Sequence, residues 1–184
     1  VLGIDDGPFT KGQGRAPLAG VLVCPPGYVE GVLISSCQVD GDDANEAIVH
    51  MVNGSRFSEQ VRMVMLDGAA LGGFNVVDVR ALSKELELPI LTISRDEPDM
   101  SSIRKALVSH FPDWERRFDV MSRNRVRPVE LPDGRIFVSS EGIEEREADA
   151  MVRRCIIRGR LPEPIRLAHL VATALVRGES RGRA

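Results

Sequence analysis

Val1-Leu2-Gly3-Ile4-Asp5-Asp6-Gly7 is an apolar run that stops abruptly at two carboxylates and a glycine. Val61-Arg62-Met63-Val64-Met65-Leu66-Asp67-Gly68 has the same shape. Short apolar runs ended by turn residues read as buried β-strands. If the two lie side by side and parallel, Asp5 and Asp67 share one end of a sheet. Two carboxylates held together repel unless a proton or a cation sits between them.

The residues between the two runs predict that placement. Ala19 to Cys24 reads as a strand, Pro25-Pro26-Gly27 as a turn and Tyr28 to Val39 as the returning strand. With the first run they make an antiparallel meander. Asp43-Ala44-Asn45-Glu46 looks like a helix start, with the Asp43 carboxylate capping free backbone N–H groups. Ala44, Ile48, Met51 and Val52 then recur on one helical face, and Gly54 closes the helix. Strand, helix, strand implies a crossover that sets the Val61 run parallel to a neighbour. A glycine-rich turn from Gly68 to Asn75 leads to a helix near residues 77–86, and Pro89 to Ser94 reads as a fifth strand. The expectation is an α/β fold with a mixed five-stranded sheet flanked by helices. Its first strand is central, between the second and the fourth. Open α/β sheets put their sites at the carboxyl ends of the strands. The first helix start, with Asp40, Asp42 and Asp43, is expected to reach the same place. Beyond the fifth strand the pattern predicts helices over 99–111 and 113–121, then a hairpin around Pro132-Asp133-Gly134. Two more helices follow, over 144–157 and 165–177.

At 184 residues and 43% hydrophobic, the chain is expected to form one domain, 1–184, with a proper core. No apolar run approaches membrane-spanning length, and no signal peptide is legible. The chain starts at Val1 without a methionine, which leaves room for residues upstream. Cys24, Cys37 and Cys155 lack metal-type spacing, so buried free thiols and a cytoplasmic location are expected. A net charge of -3 excludes a general polyanion binder. The charge is uneven, however. Eight arginines lie between Arg153 and the end, against Glu163 and Glu179, while seven acids lie between Glu30 and Asp67. This fits either a metal site beside a phosphate track or a solvated arginine-rich tail.

The carboxylates carry the main chemical signal. Magnesium and manganese prefer hard oxygen ligands, and a phosphate completes such a shell. The candidates are Asp5, Asp67 and one of Asp40 or Asp43, with Asp6 in reserve because strand alternation turns it to the opposite face. The plainer alternatives are that Asp-Gly merely ends strands and that Asp43 is only a helix cap. Tyr28, at a hairpin tip, either touches a ligand or packs on the surface. Gly72-Gly73-Phe74-Asn75 allows close backbone approach or a tight turn.

Ile136-Phe137-Val138-Ser139, followed by a helix and then Arg160-Leu161-Pro162-Glu163-Pro164-Ile165-Arg166-Leu167-Ala168-His169, resembles the C-terminal part of endonuclease V. Leu66-Asp67-Gly68 and Asp5 resemble that family's aspartate-bearing strand ends. More closely, four motifs resemble a mainly archaeal family called domain of unknown function number ninety-nine, distantly related to endonuclease V. They are Ile4-Asp5-Asp6-Gly7-Pro8-Phe9, Val39-Asp40-Gly41, Met65-Leu66-Asp67-Gly68 and Gly73-Phe74-Asn75. The resemblance implies a ribonuclease H-like fold and a divalent-metal site, Mg2+ or Mn2+, that hydrolyses phosphodiester bonds. Nucleic acid is the implied partner. Asp5 and Asp67 carry over as ligands. The third acid is a glutamate in endonuclease V, and Asp40 or Asp43 stands in for it here. His169 carries over as a metal-side or water-orienting residue. Three departures stand out: Ala70 replaces a glycine, Pro26-Gly27-Tyr28 is all that remains of an aromatic wedge, and Arg95 stands near the position of a lysine.

The expected function is therefore a metal-dependent nuclease in which Arg160 and nearby arginines meet phosphates. The rival is a binding module that keeps the fold without the chemistry. A sugar-kinase-like phosphate loop at Leu2 to Gly7 ranks lower, because Pro8 stands where a hydroxyl residue belongs and one domain does not enclose ATP.

Overall fold

The computed structural model describes residues 1–10 and 12–180. Strand β1 (Leu2–Asp6) is buried on both faces apart from its last residue, as an apolar run covered on both sides must be. It pairs antiparallel with β2 (Arg15–Cys24), which pairs antiparallel with β3 (Tyr28–Gln38). On its other side β1 pairs in parallel with β4 (Val64–Asp67), with Gly3 opposite Met65 and Ile4 opposite Leu66. The first strand thus lies between the second and the fourth, as expected, although β4 is the middle strand of the whole sheet. After a two-stranded hairpin, β5 (Ala70–Leu71) and β6 (Asn75–Val76), strand β7 (Ile90–Ser94) joins β4 in parallel.

The sheet has seven strands, not the expected five. The late hairpin, β8 (Arg127–Leu131) and β9 (Gly134–Glu141), does not stand apart: β9 pairs antiparallel with β7, giving the order β3-β2-β1-β4-β7-β9-β8. The reason lies in the side chains. Val129, Ile136 and Val138 are buried with Leu91 and Ile93 in one apolar cluster, and a free hairpin would leave all three in water. Thr92 and Ser139 also share a 2.8 Å hydroxyl contact across the β7–β9 boundary.

Helices α1 (Ala44–Asn53) and α2 (Val79–Leu86) cover one face of the sheet. A helical hairpin follows β7, formed by α3 (Met100–His110) and α4 (Trp114–Ser122). Helices α5 (Glu145–Arg154) and α6 (Glu163–Arg177) cover the other face. The start of α6 lies directly on Gly3. A Cβ there would fall 2.1 Å from the Pro164 carbonyl carbon and 2.6 Å from Ile165 N. Glycine is required by this close approach of backbones. Among the described residues no helix is long and apolar enough to cross a membrane.

The start of α1 corrects the expected cap. Asp43 makes no capping bond; the Ala44 N–H donates instead to Asn75 Oδ1, 2.9 Å away. Asn75 Nδ2 donates to Gln38 O (2.9 Å) and to Asp43 Oδ1 (2.7 Å), and the residue is fully buried. One amide therefore ties α1, the end of β3 and the glycine-rich turn together.

The cysteines are also partly corrected: Cys37 and Cys155 are buried, but Cys24 is exposed. Burial pushes the Cys37 thiol up to about 12 and the Cys155 thiol up to about 11. The thiolate is the reactive form. The native protein is expected to give one fast equivalent with a thiol reagent at pH 8 and three after denaturation. Three fast equivalents in the native state would contradict this packing.

Candidate metal centre

β1 and β4 are parallel and in register, so Asp5 and Asp67 lie on the same face at the carboxyl end of the sheet. That face carries α6, which runs from Gly3 toward the same end and brings His169 down onto Asp5. His169 Nδ1 lies 2.8 Å from Asp5 Oδ2. One ligand atom from each of Asp5, Asp67 and His169 lies within 4.8 Å of the other two. The three share a cleft of about 430 Å³ with Asp6, Gly7, Pro8, Phe9 and Thr173. Asp6 points to the opposite face, where it accepts the Gly72 N–H, as strand alternation requires.

The electrostatics show the cost of this crowding. Asp5 is only 5% exposed. Burial, then the Asp67 and Asp6 carboxylates, push its carboxyl up to about 7, against the pull of His169. Asp67 is raised by burial, against Arg95 and His169. Asp6 is raised to about 6, chiefly by burial. Such a set holds protons, or a cation in their place, at neutral pH. Two oxygens and one imidazole nitrogen suit a divalent ion that tolerates mixed donors.

Other residues expected at the site lie elsewhere. Asp40 adopts a left-handed backbone conformation (φ 57°) and its Oδ1 accepts the Phe74 N–H at 2.9 Å. Asp43 accepts the Gln38 N–H (2.8 Å) and the Asn75 amide, with the Arg15 guanidinium 3.3 Å away. Neither joins the group of Asp5, Asp67 and His169, because each carboxylate is occupied in holding a loop. Tyr28 is 69% exposed at the β2–β3 turn. Leu22 pairs with Leu2, so that turn lies at the amino end of β1, away from Asp5. Arg160 is half-buried and donates to Arg135 O (3.2 Å) on the β8–β9 hairpin. The arginine-rich end was open between a phosphate track and a solvated tail; its residues 181–184 lie outside the described residues.

Sequence reasoning passed over Thr173 and Arg117. Thr173 sits one helical turn after His169 on α6, so the i,i+4 spacing was the available signal. Arg117, 8% exposed, donates to Gly41 O (2.7 Å) and Phe74 O (2.6 Å) and lies over the Phe111 ring. Its one local signal is the i,i+4 spacing from Asp113, whose carboxylate accepts from its Nε at 2.9 Å; the two carbonyl acceptors come from distant loops.

Known proteins carry the same arrangement of elements. A UPF0215 protein of Methanothermobacter thermautotrophicus is 42% identical over 186 residues, covering 100% of this chain and 91% of its own length. One from Thermococcus gammatolerans is 40% identical, covering 98% and 93%. A crystal structure of a protein of unknown function from Archaeoglobus fulgidus superposes with a TM-score of 0.85 at 34% identity, over 96% of this chain and 98% of that one. Endonuclease V of Ciona intestinalis was solved with a 24mer DNA containing an inosine followed by a ribo-adenosine. It superposes at 0.66 with 13% identity, over 96% and 85%. Human endonuclease V superposes at 0.62 with 14% identity, over 96% and 84%. The fold is thus shared with endonuclease V. The family model described as endonuclease dU matches residues 1–176. That match runs from β1 to α6, through every element that carries Asp5, Asp67 and His169, and the chain belongs to the endonuclease dU family.

Proposed function

We propose that this protein is a divalent-metal-dependent endonuclease that hydrolyses phosphodiester bonds in DNA at deoxyuridine. The observation that carries the reading is the meeting of buried Asp5 and part-buried Asp67, at the carboxyl ends of two parallel strands, with part-buried His169 from α6. The family's description supports the substrate, and the endonuclease V structures solved with inosine-containing DNA support nucleic acid as the partner. Asp5, Asp67 and His169 would hold Mg2+ or Mn2+; a bound ion supplies Lewis-acid activation of the phosphoryl group. The chain's own part is to hold the two carboxylates in register and to keep the His169 ring fixed against Asp5. Thr173 and the 5–9 segment shape the cleft that admits the phosphate.

A second reading, a binding module without chemistry, is favoured by one observation. Asp40 and Asp43 are engaged elsewhere, leaving two carboxylates where three were expected.

A cleavage panel tests both. It uses single- and double-stranded DNA and RNA, with deoxyuridine, inosine or neither, in Mn2+, Mg2+ or EDTA, with Asp67→Ala as control. The expected result is cutting of deoxyuridine-containing DNA that EDTA and Asp67→Ala both abolish. Folded wild-type protein that binds no Mn2+ by calorimetry and cuts nothing would favour the binding module.

A further inference from the structure

Helix α6 is apolar on more sides than the fold uses. At about 100° per residue, Ile165, Ala168 and Ala172 face the sheet and are buried, while His169 and Thr173 face the Asp5 cleft. The remaining sides carry Leu167, Leu170, Val171, Ala174 and Leu175; none of these is buried, and Leu175 is 50% exposed. A helix with apolar residues all round belongs inside a larger structure. The sheet beside it is open in the same direction. Directly paired residues of antiparallel strands share a face. Val21, which packs with Ala168 of α6, is paired with Val32 of β3, and Ala19 with Ile34. Val32 and Ile34 therefore lie on the α6 side of the sheet, on its edge strand, and are 46% and 53% exposed. Leu33, on the other side, packs into the cluster under α1. The flank of α6 that carries Val171 and Leu175 looks onto this shelf, because Val171 packs with Val21 and Val23 of β2. With Tyr28 and Val29 at the start of β3, the exposed apolar area is on the order of 700 Å², more than a monomer usually shows in one place.

We propose that this face is the interface of a homodimer, in which α6 of a second copy lies antiparallel beside α6 and over Val32 and Ile34. One partner of a standard-size interface contributes about 800 Å², which this face nearly supplies. The charges also fit a two-fold axis. β1 and β3 both pair antiparallel with β2, so they run the same way. α6 follows them: its start lies on Gly3, and a Cβ at Gly7 would meet the Ala172 carbonyl oxygen. Exposed Glu30 therefore marks one end of the shelf and exposed Arg177 the other. A two-fold axis through the middle of α6 reverses the ends, so each Glu30 meets Arg177 of the second copy. Leu167, Leu170 and Ala174 recur at intervals of three and four, the spacing of a seam between paired helices. Pairing two β3 edges instead would hold the two α6 helices roughly 19 Å apart and leave Leu170 and Ala174 in water. His169 and Thr173 lie on the flank away from the second copy, so both Asp5 clefts stay open. The inference stands without the nuclease reading.

Sedimentation velocity over a range of protein concentrations tests it. Wild-type protein at micromolar concentration is expected to sediment as a dimer. Ile34→Glu and Leu170→Glu are expected to weaken that dimer about a hundredfold or more. Neither residue is buried in the single chain, so the circular dichroism of both variants is expected to match wild type. Glu30→Arg alone and Arg177→Glu alone each set like charges against one another, and each is expected to weaken the dimer at least about fivefold. The double variant restores opposite charges and is expected to recover the wild-type dimer, a rescue that only a contact between these two ends produces. A wild-type monomer at micromolar concentration overturns the proposal and leaves the face to another occupant. A dimer unmoved by folded Ile34→Glu and Leu170→Glu overturns it too, because the copies then meet elsewhere. Loss of the dimer in those two variants without rescue in the charge exchange overturns the antiparallel arrangement.

Discussion

Gly3→Ala is expected to destabilise the protein by about 3 kcal/mol or more, at the top of the overpacking range. Most alanine substitutions in strands meet side chains that adjust. Here the added methyl would meet backbone, the carbonyl carbon and oxygen of Pro164 at 2.1 and 2.2 Å. Nothing at that contact rotates away, so the start of α6 must lift from the sheet. Ile165 and Ala168 belong to the buried face of the same helix, and both would lose packing. The consequence reaches the proposed metal site, because α6 also carries His169 against Asp5. Gly3→Ala is therefore expected to lower the denaturation midpoint and to weaken Mn2+ binding together. Urea unfolding and calorimetry read the two effects separately. A variant as stable as wild type would show that α6 does not sit on the strand as described. A destabilised variant with unchanged Mn2+ affinity would show that His169 is not positioned by this contact.

What the sequence revealed follows from which interactions are local. The two Asp-ended apolar runs were legible because strand burial leaves an unbroken apolar signature, and the crossover between them fixes parallel pairing. Asp5 beside Asp67 followed from those two facts alone. The β8–β9 hairpin was legible as a hairpin, yet nothing inside it says which strand it will join. That choice was made by the uncovered edge of β7 and by the apolar faces of Ile136 and Val138. Asp43 misled for a physical reason: an aspartate before a helix is a strong cap signal, but a side chain 32 residues away, Asn75, out-competed it. Asp40 was a candidate because it lies just before the first helix and Tyr28 because it sits at a hairpin tip; position along the chain did not reveal that Asp40 holds the Phe74 N–H or that Tyr28 is exposed at the other end of the sheet. His169 and Arg117 show the two extremes. The first was found only through a motif around it. The second makes bonds to Gly41 and Phe74 that no window of sequence contains.

Asp5→Asn is expected to abolish cleavage and yet to stabilise the protein at alkaline pH. The unfolded chain titrates Asp5 near its ordinary value of 3.8, while burial and the neighbouring carboxylates raise it to about 7 in the folded state. Between those values the folded state keeps a proton that the unfolded state has lost. The stability this represents is complete below 3.8 and is lost as pH rises through about 7. At roughly 1.4 kcal/mol per tenfold change in proton affinity, the loss between pH 5 and pH 8 is on the order of 2–3 kcal/mol. Asp6 and Asp67 act in the same direction, so Asp5→Asn reduces the loss without removing it. Asp99 and Asp113 do not mask the trend. Serine and arginine partners respectively hold them below the usual carboxylate range, so their contributions fall away only in acid. In EDTA, the wild-type melting temperature is therefore expected to fall from pH 5 to pH 8, and that of Asp5→Asn to fall less. Mn2+ bound at the proposed site would displace the proton, so its stabilising effect on wild type is expected to be larger at pH 8 than at pH 6 and to be mostly lost in the variant. Cleavage of deoxyuridine-containing DNA is expected to drop roughly a thousandfold or more, the scale of losing a group that stabilises transition-state charge. A variant less stable than wild type at pH 8 in EDTA would mean that Asp5 is a structural carboxylate satisfied by His169. Greater stability with intact cleavage would leave Asp5 buried and strained but move the metal elsewhere. Only the joint result, a more stable and inactive protein, identifies a carboxylate that the fold keeps at its own expense for a cation.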